Sequence, residues 1–212
     1  MSASVESGGK RRGRPQQARP AEISAAALHL FAERGFQETT LEQIAAKAKI
    51  GRRTLFRYFP SKNDIVWGEF DLVLERLRHH LEASPPDAPL MEVITSAVIE
   101  TNRYDSDELP VLRIRMMLIT SVPALQAHSA VRYAEWRDVV AEFAAKRLGQ
   151  QPNDLLPLMF GYGALGASRA AFARWVSHEG ESLEESLRAC YAALSRGLSA
   201  AAVEAEFPAR SR

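Results

Sequence analysis

The sequence of 212 residues is 46% hydrophobic and 25% charged, which is the composition of a globular protein and not of a disordered or membrane-embedded chain. Its only cysteine, Cys190, excludes an internal disulfide and a cysteine-based zinc site, and the lack of a long apolar run or signal-peptide core leads us to expect a cytoplasmic protein. The net charge of +1 conceals an asymmetry, since residues 1–62 contain 12 Lys and Arg against 5 Asp and Glu, whereas residues 63–212 contain 15 against 21. These balances of +7 and −6 predict a basic module that binds a polyanion, joined to a domain with another task.

The first predicted segment is an arm at residues 1–19, which is rich in Ser, Gly, Pro and Arg and should be flexible. Lys10, Arg11, Arg12 and Arg14 resemble the core of an AT-hook, which lies in the narrow minor groove of A·T-rich DNA. A charged tail that only keeps the protein solvated is the alternative. We expect the arm to bind DNA beside the module that follows it, as the arms of homeodomains do.

Helical periodicity begins near Pro20 and continues into the C-terminal region, whereas the alternation typical of strands is essentially absent. Gly or Pro stands at most of the joints between the periodic segments. The sequence therefore predicts an all-α protein of about nine helices. We place these helices near residues 21–34, 40–47, 51–57, 61–82, 88–103, 108–120, 123–148, 153–177 and 181–203.

Residues 39–62, TTLEQIAAKAKIGRRTLFRYFPSK, have the pattern of a helix-turn-helix. Thr40 with Gln43 fits a capping box at the start of the first helix, and the overlapping pair of Thr39 and Glu42 fits equally well. A break that contains a glycine then separates this helix from a short second one. The second helix is expected to expose donors and rings that suit base edges and phosphates, namely Arg52, Arg53, Thr54, Phe56, Arg57 and Tyr58.

A solvated basic surface between two ordinary helices would explain the number of arginines and lysines alone. The order of the residues is more specific. Together with LHLFAERGFQETT at 28–40 and FRYFPSKNDIVW at 56–67, the motif resembles the TetR family of bacterial transcriptional regulators over at least residues 21–67. The resemblance implies a three-helix DNA-binding head at 20–62, with its helix-turn-helix at 40–59, and a helical body at 63–212 that binds a small ligand and dimerises.

The resemblance also assigns DNA contacts to individual residues of the head. It implies a phosphate contact for Thr39 and Thr40, at a helix start where free backbone N–H groups and the helix dipole favour an anion. Two positions depart from the common pattern, because Gly51 replaces a frequent serine N-cap and Phe56 replaces a frequent tyrosine, which removes a hydroxyl that could bind phosphate. The implied major-groove contacts are Arg52, Arg53 and Thr54, and the implied contacts along the DNA backbone are Phe56, Tyr58 and Lys62.

The helix expected at residues 153–177 carries small residues at three- and four-residue spacing, which lets another helix approach closely. Its residues 161–166 also fit the dinucleotide fingerprint GxGxxG, but no βαβ unit surrounds them. With the last helix, it should form a four-helix bundle with a second chain, as the family resemblance also implies, whereas packing within one chain is the alternative. The expected dimer residues are Tyr162, Gly163, Gly166, Ala170, Ala173, Leu187, Tyr191, Leu194 and Leu198.

Apolar and aromatic residues at helical spacing within 88–148 could form either a ligand pocket or plain core, and core is the commoner outcome. Arg113 and Arg115 are more suggestive. An arginine in a mostly apolar helix is ion-paired, extends its charge to solvent or is available to an anionic ligand group. The candidate ligand-binding residues are Arg113, Arg115, Met116, Met117, Trp136, Val140 and Phe143.

Three longer segments, at residues 51–71, 85–104 and 124–149, resemble the mycofactocin system regulators, a subgroup of the TetR family. This resemblance implies a long-chain acyl-coenzyme A (acyl-CoA) as the effector. The assignment is chemically coherent because an acyl chain needs a long apolar pocket and the coenzyme phosphates need arginine at its mouth. We expect neither a cofactor nor a metal ion.

The sequence therefore predicts a homodimeric repressor that binds a palindromic operator in double-stranded DNA through the major groove and is released by a hydrophobic effector. The effector would act through the helix expected at residues 61–82, as a rigid connector to the head. A non-specific architectural DNA-binding protein is one alternative. A helical enzyme or redox carrier is another, although the sequence offers no nucleophile–base or metal constellation for it.

Overall fold

The computed structural model describes residues 19–197, and this part of the chain is all-α, with ten helices and no strand. The fold class predicted from the sequence is confirmed. The helices are α1 (Pro20–Arg34), α2 (Leu41–Lys47), α3 (Arg52–Tyr58), α4 (Lys62–Trp67), α5 (Phe70–Glu82), α6 (Leu90–Thr101), α7 (Leu109–Ser121), α8 (Pro123–Leu148), α9 (Leu155–Ser177) and α10 (Leu183–Gly197).

A glycine divides the segment 61–82, which was expected to be one rigid helix, into α4 and α5. Gly68 has φ 60° and ψ −129°, a backbone conformation that residues with a side chain rarely adopt. Its N–H still donates to the carbonyl of Asp64 at 3.0 Å, and the chain then turns before α5 begins at Phe70. The connector between head and body is therefore two helices that meet at a glycine.

Helices α1–α4 form the head around one hydrophobic core. Thr40 is the N-cap of α2, because its hydroxyl accepts from the Gln43 N–H at 3.2 Å while the Gln43 side chain accepts from the Thr40 N–H at 2.9 Å. The capping box is thus Thr40 with Gln43 and not the overlapping pair. The core extends past residue 62 as far as Trp67, and its fully buried members are Ile23, Leu28, Ile44, Leu55, Ile65 and Val66.

The turn between α2 and α3 has the geometry of a Schellman motif. The Lys49 N–H donates to the carbonyl of Ala46 at 3.1 Å, and the Ile50 N–H donates to that of Ala45 at 2.9 Å. Lys49 has φ 55°, the left-handed conformation that favours glycine. This turn sets the direction of α3 relative to α2.

Helices α5–α10 form the body around a second core. Helix α9 lies between α8 and α10, and Gly161 allows its close approach to α8, since a Cβ there would lie 2.9 Å from the carbonyl oxygen of Arg137 and 3.2 Å from the Cβ of Ala141. The GxGxxG match at residues 161–166 therefore lies inside a helix and serves helix packing.

The head is fixed to the body by both apolar and polar contacts. Leu118 and Ile119 of α7 and Leu125 of α8 belong to the hydrophobic core of the head. At the polar edge, Oδ1 of Asp64 on α4 lies 3.2 Å from Nε2 of His128 on α8. A change in the position of α7 or α8 will therefore be felt by the head, because packed interiors transmit strain.

Candidate DNA-binding surface and ligand cavity

Helix α3 presents arginines and an aromatic ring on the surface of the head. Arg52 forms an ion pair with Glu42 of α2 at 2.8 Å, and its guanidinium lies 5.5 Å from the ring centre of Phe56, which is 41% exposed. Arg53 is exposed and has neither a hydrogen bond nor an ion pair within residues 19–197. Thr54 is half-buried on the same helix. These residues form one exposed surface, and Arg53 is its available bidentate donor.

The C-terminal end of α3 continues this surface. The guanidinium of Arg57 lies 4.9 Å from the ring centre of Tyr58 and donates to the Tyr58 hydroxyl at 3.2 Å. Thr40 is also exposed, although its hydroxyl already caps α2. The contacts of Arg57 hold its charge against the end of α3, where it can meet a phosphate.

The side chains of Thr39 and Lys62 hold the loop between α1 and α2. Thr39 is 1% exposed and its hydroxyl donates to the carbonyl of Gly35 at 2.8 Å. The Lys62 ammonium donates at 2.7, 3.3 and 3.2 Å to the carbonyls of Phe36, Gln37 and Thr39. Partial burial lowers the pKa of Lys62. This placement corrects the phosphate contacts expected of both side chains, because their donors are already used inside the head.

Some sequence predictions fall on parts of the chain that the structure does not describe. The arm residues Lys10, Arg11, Arg12 and Arg14 lie outside the described residues, as does Leu198 of the expected dimer surface. They stay predictions.

An internal cavity of about 100 Å³ lies in the body where it meets the head. Arg115 and Met116 of α7 and Trp136 of α8 line it, so the structure brings together three of the seven predicted ligand-binding residues. Most of the other residues that line the cavity are apolar. One of them, Trp67, is the last residue of α4 and so belongs to the head. Six aromatic rings contribute, from Trp67, Phe70, Tyr104, Tyr133, Trp136 and Phe172.

The other four predicted residues lie elsewhere. The Arg113 guanidinium stacks 4.2 Å from the ring centre of Trp175 and donates to the backbone carbonyls of Trp175 and Val176 at the end of α9. Met117 is 44% exposed, Val140 is inside the core of the body and Phe143 packs at the edge of that core. These placements correct the expected cavity, since Arg113 satisfies the last carbonyls of a helix instead of facing a ligand.

An open groove of about 600 Å³ adjoins the cavity. Its outer wall carries charges of both signs, with Arg76 and Glu69 among them. Five residues line both spaces and mark the junction between them, namely Trp67, Val73, Tyr104, Leu112 and Arg115. The arrangement gives a strongly apolar cavity that joins a larger groove, whose lining includes the acidic residues Glu22, Glu69, Asp107 and Glu108 and the arginines Arg19, Arg76 and Arg115.

Arg115 is a nearly buried cation at this junction. Its Nη2 donates to the hydroxyl of Ser24 on α1 at 3.2 Å, while its Nε has no hydrogen-bond partner within the described part of the chain. No carboxylate of residues 19–197 lies within ion-pairing distance, and burial lowers the pKa of Arg115. Burial also raises the pKa of the neighbouring Tyr104, which keeps the phenol neutral. The site is therefore short of an acceptor or an anion.

Helices α9 and α10 expose a different face from the one expected. Tyr191 is fully buried within the chain, where its hydroxyl bonds to Ser168 Oγ and to the carbonyl of Ala164, each at 2.8 Å, and Leu187 is buried beside it. These two residues correct the expected dimer surface, because the large apolar residues of α10 pack onto α9 of the same chain. The residues of the expected set that are exposed are Tyr162, Gly166, Ala170 and Ala173, while Gly163 and Leu194 are half-buried.

Sequence reasoning missed most of the cavity. Its walls come from α4, α5, α7, α8, α9 and the segment between α6 and α7, so no single periodic pattern could identify them. The aromatic residues Trp67 and Tyr133 are the part of the cavity wall that the sequence could have suggested. In the structure their rings meet edge to face at the head–body joint, with 5.6 Å between ring centres.

Two kinds of site do not occur in the structure. Residues 19–197 contain no group of His, Cys, Asp and Glu side chains that could hold a metal ion. None of the helices in this range is long and apolar enough to cross a membrane.

The sequence has close relatives among bacterial regulators. Residues 23–66 match the tetR family of bacterial regulatory proteins, and residues 88–199 match the MftR C-terminal domain. The chain is 38% identical, over 88% of its length and 94% of the relative's, to a protein of Mycobacterium tuberculosis named for MftR, the transcriptional regulator of mycofactocin biosynthesis. It is also 31% identical to the regulator TcmR of Streptomyces glaucescens, over 60% of this chain and 59% of that one.

Solved structures share the fold. FadR of Thermus thermophilus, a repressor solved in complex with lauroyl-CoA, is 24% identical with a TM-score of 0.55, over 92% of this chain and 100% of that one. SmeT in complex with triclosan is 18% identical with a TM-score of 0.62, over 84% of this chain and 90% of that one. The chain therefore belongs to the TetR family of bacterial transcriptional regulators and carries a C-terminal domain of the MftR type.

Proposed function

We propose that the protein is a dimeric repressor that leaves its operator when an amphiphile, of the acyl-CoA class, binds in the body. The observation that carries this proposal is the apolar cavity that opens beside the buried Arg115 onto a wider groove with charged residues in its wall.

The DNA contacts are proposed for α3 and its surroundings. Arg52, Arg53 and Thr54 would enter the major groove, with Arg53 forming a bidentate contact to a guanine. Phe56, Arg57, Tyr58 and the backbone at Thr40 would lie along the phosphates, and the arm residues would reach the minor groove. Lys62 and Thr39 support this surface from inside, since their donors hold the loop before α2.

The dimer is proposed to use the exposed small-residue face of α9. Gly166 has open space where a side chain would stand, and Tyr162 is 57% exposed, which is unusual for a large ring on a monomer surface. Ala170 and Ala173 continue this face at helical spacing. A second copy packed there would form a four-helix bundle with the neighbouring α10. Two heads would then read two half-sites.

The sizes of the two spaces favour an extended ligand. The cavity of about 100 Å³ is smaller than typical ligand sites, which span roughly 300–1,000 Å³, whereas the groove of about 600 Å³ is within that range. A ligand that uses both must have an apolar end for the aromatic cavity and a polar end for the groove. An acyl-CoA has this division, and the FadR relative binds one. The acyl chain would contact Met116 and Trp136 on the cavity wall.

A gel-shift titration against the upstream intergenic DNA, at two salt concentrations, tests the proposal. We expect a large preference for one fragment over random duplex as salt rises, and release by oleoyl-CoA but not by coenzyme A alone. Two of the three tryptophans, Trp67 and Trp136, line the cavity, so quenching of intrinsic fluorescence gives an independent measure of binding. Equal binding to any DNA would favour the architectural alternative. Specific binding that no acyl-CoA alters would refute the effector.

A further inference from the structure

A continuous set of polar contacts joins the ligand junction to the DNA-binding head. Arg115 Nη2 donates to Ser24 Oγ at 3.2 Å, and Ser24 Oγ donates to the carbonyl of Ile65 at 2.7 Å. Ser24 lies on α1, fully buried, and Ile65 lies on α4. One guanidinium on the wall of the cavity thus holds the helix that precedes the helix-turn-helix and the helix that follows it.

The junction also holds a second unused donor. Trp67 is 5% exposed and lines both the cavity and the groove, yet its Nε1 has no hydrogen-bond partner among the described residues. Together with Arg115 Nε, this gives two buried N–H groups without acceptors around one junction. Buried donors are almost always satisfied, so both N–H groups are available to an acceptor that enters this junction.

We propose that a ligand's anionic or carbonyl oxygen binds Arg115 and Trp67 at this junction and withdraws the Arg115 guanidinium from Ser24. This inference rests on the proposed function, and it assigns the release of DNA by the ligand to one contact, the hydrogen bond from Arg115 to Ser24. Without ligand, Arg115 holds α1 and α4 in the DNA-binding arrangement. With ligand, Ser24 loses this donor, and the head can shift relative to α7 while the apolar packing of Leu118 and Ile119 keeps the two in contact.

Gly68 gives the guanidinium its place beside the head. A Cβ at Gly68 would lie 3.0 Å from Arg115 Nη2 and 3.1 Å from Ser24 Oγ, so only glycine leaves both groups where they are. The contact between Asp64 and His128 does not line the cavity. A ligand in the cavity therefore does not touch this contact directly.

Two variants of the full-length dimer test the relay, with oleoyl-CoA as the probe. Ser24→Ala removes the head's side of the contact, together with the bond from Ser24 to the Ile65 carbonyl, and leaves the ligand junction intact. Arg115→Met removes the junction's charge. Arg76→Met is the matched control for the coupling and not for ligand affinity, because Arg76 is an exposed arginine that lines the groove proposed for the ligand's polar end but does not line the cavity. For each variant we measure the operator Kd with and without ligand by gel shift, and the ligand Kd by tryptophan fluorescence.

The ratio of the two operator Kd values is the coupling, which is typically about 5- to 150-fold in allosteric proteins. We expect Ser24→Ala to keep its ligand Kd within about threefold of wild type while the coupling falls toward 1, since the ligand no longer has a contact to break. We expect Arg115→Met to weaken ligand binding and to lose the coupling, and Arg76→Met to keep the coupling.

Full coupling in both Ser24→Ala and Arg115→Met overturns the relay. Full coupling in Ser24→Ala with loss of ligand binding in Arg115→Met also overturns it and leaves Arg115 as a ligand contact only. A wild-type protein that does not respond to oleoyl-CoA contradicts the proposed function itself, which separates the two failures.

Discussion

Replacement of Gly68 by alanine tests the joint between α4 and α5. The residue has φ 60° and ψ −129°, and a backbone of this kind costs a residue with a side chain about 1–3 kcal/mol. The new Cβ would also stand 3.0 Å from Arg115 Nη2 and 3.1 Å from Ser24 Oγ. Displacing that hydrogen bond to a charged donor adds about 1–2 kcal/mol. We therefore expect Gly68→Ala to lower the free energy of unfolding by about 2–5 kcal/mol.

The assay is urea unfolding followed by circular dichroism, at one protein concentration because the stability of any oligomer depends on it. Gly180→Ala is the matched control, since Gly180 also has a positive φ, of 86°, but has nothing within 4 Å of the position of a Cβ. Gly180→Ala should therefore lose only the free energy that a positive φ costs a residue with a side chain, with no neighbouring group displaced. Equal losses in the two variants would refute the reasoning, because the close approach of Arg115 to Gly68 would then contribute nothing.

Three further substitutions have definite expected outcomes. Lys49→Gly should raise the free energy of unfolding by about 1 kcal/mol in the same assay, because Lys49 has φ 55° at the turn of the helix-turn-helix; a loss would mean that its side chain stabilises the turn. Gly161→Ala should lower it by about 1–3 kcal/mol, since the Cβ would stand 2.9 Å from the Arg137 carbonyl, and an unchanged midpoint would contradict the close packing of α8 and α9. Arg53→Ala should weaken operator binding by about 1–3 kcal/mol in a gel shift and relax the preference at one base pair, whereas an equal loss on random DNA would show a phosphate contact instead.

The helix-turn-helix was predictable because its signals are local. The capping pair of Thr40 and Gln43 and the glycine-containing break act over a few residues, and the structure places them as expected. The ambiguity between two overlapping capping boxes was settled by Thr39, which the core of the head buries. That burial depends on α1, several residues away along the chain, and no local pattern reports it.

The body was less predictable because its periodic faces have two plausible partners. Helix α10 has one large-residue face, and sequence alone does not say whether α9 of the same chain or a second chain covers it. The bonds of Tyr191 to Ser168 and Ala164 decide for the same chain. The sequence did not predict the break at Gly68, because a single glycine is tolerated inside a helix. The close approach of Arg115, which leaves little room for a side chain at this position, is a tertiary contact that no local pattern reports.

The cavity and the head share walls, and this shapes how a ligand can act. Trp67 is the last residue of α4 and lines the cavity, while Ile119 of α7 is 2% exposed, lines the same cavity and packs in the core of the head. Because such interiors are packed at close to crystal density, a ligand that enlarges the cavity of about 100 Å³ must move part of its wall, and Trp67 and Ile119 are parts of that wall that the head shares. Either movement reaches α1 and α4 directly, without passing along α5. The polar relay through Arg115 then selects which ligands can do so, because the movement is favourable only when an oxygen replaces Ser24 on the guanidinium.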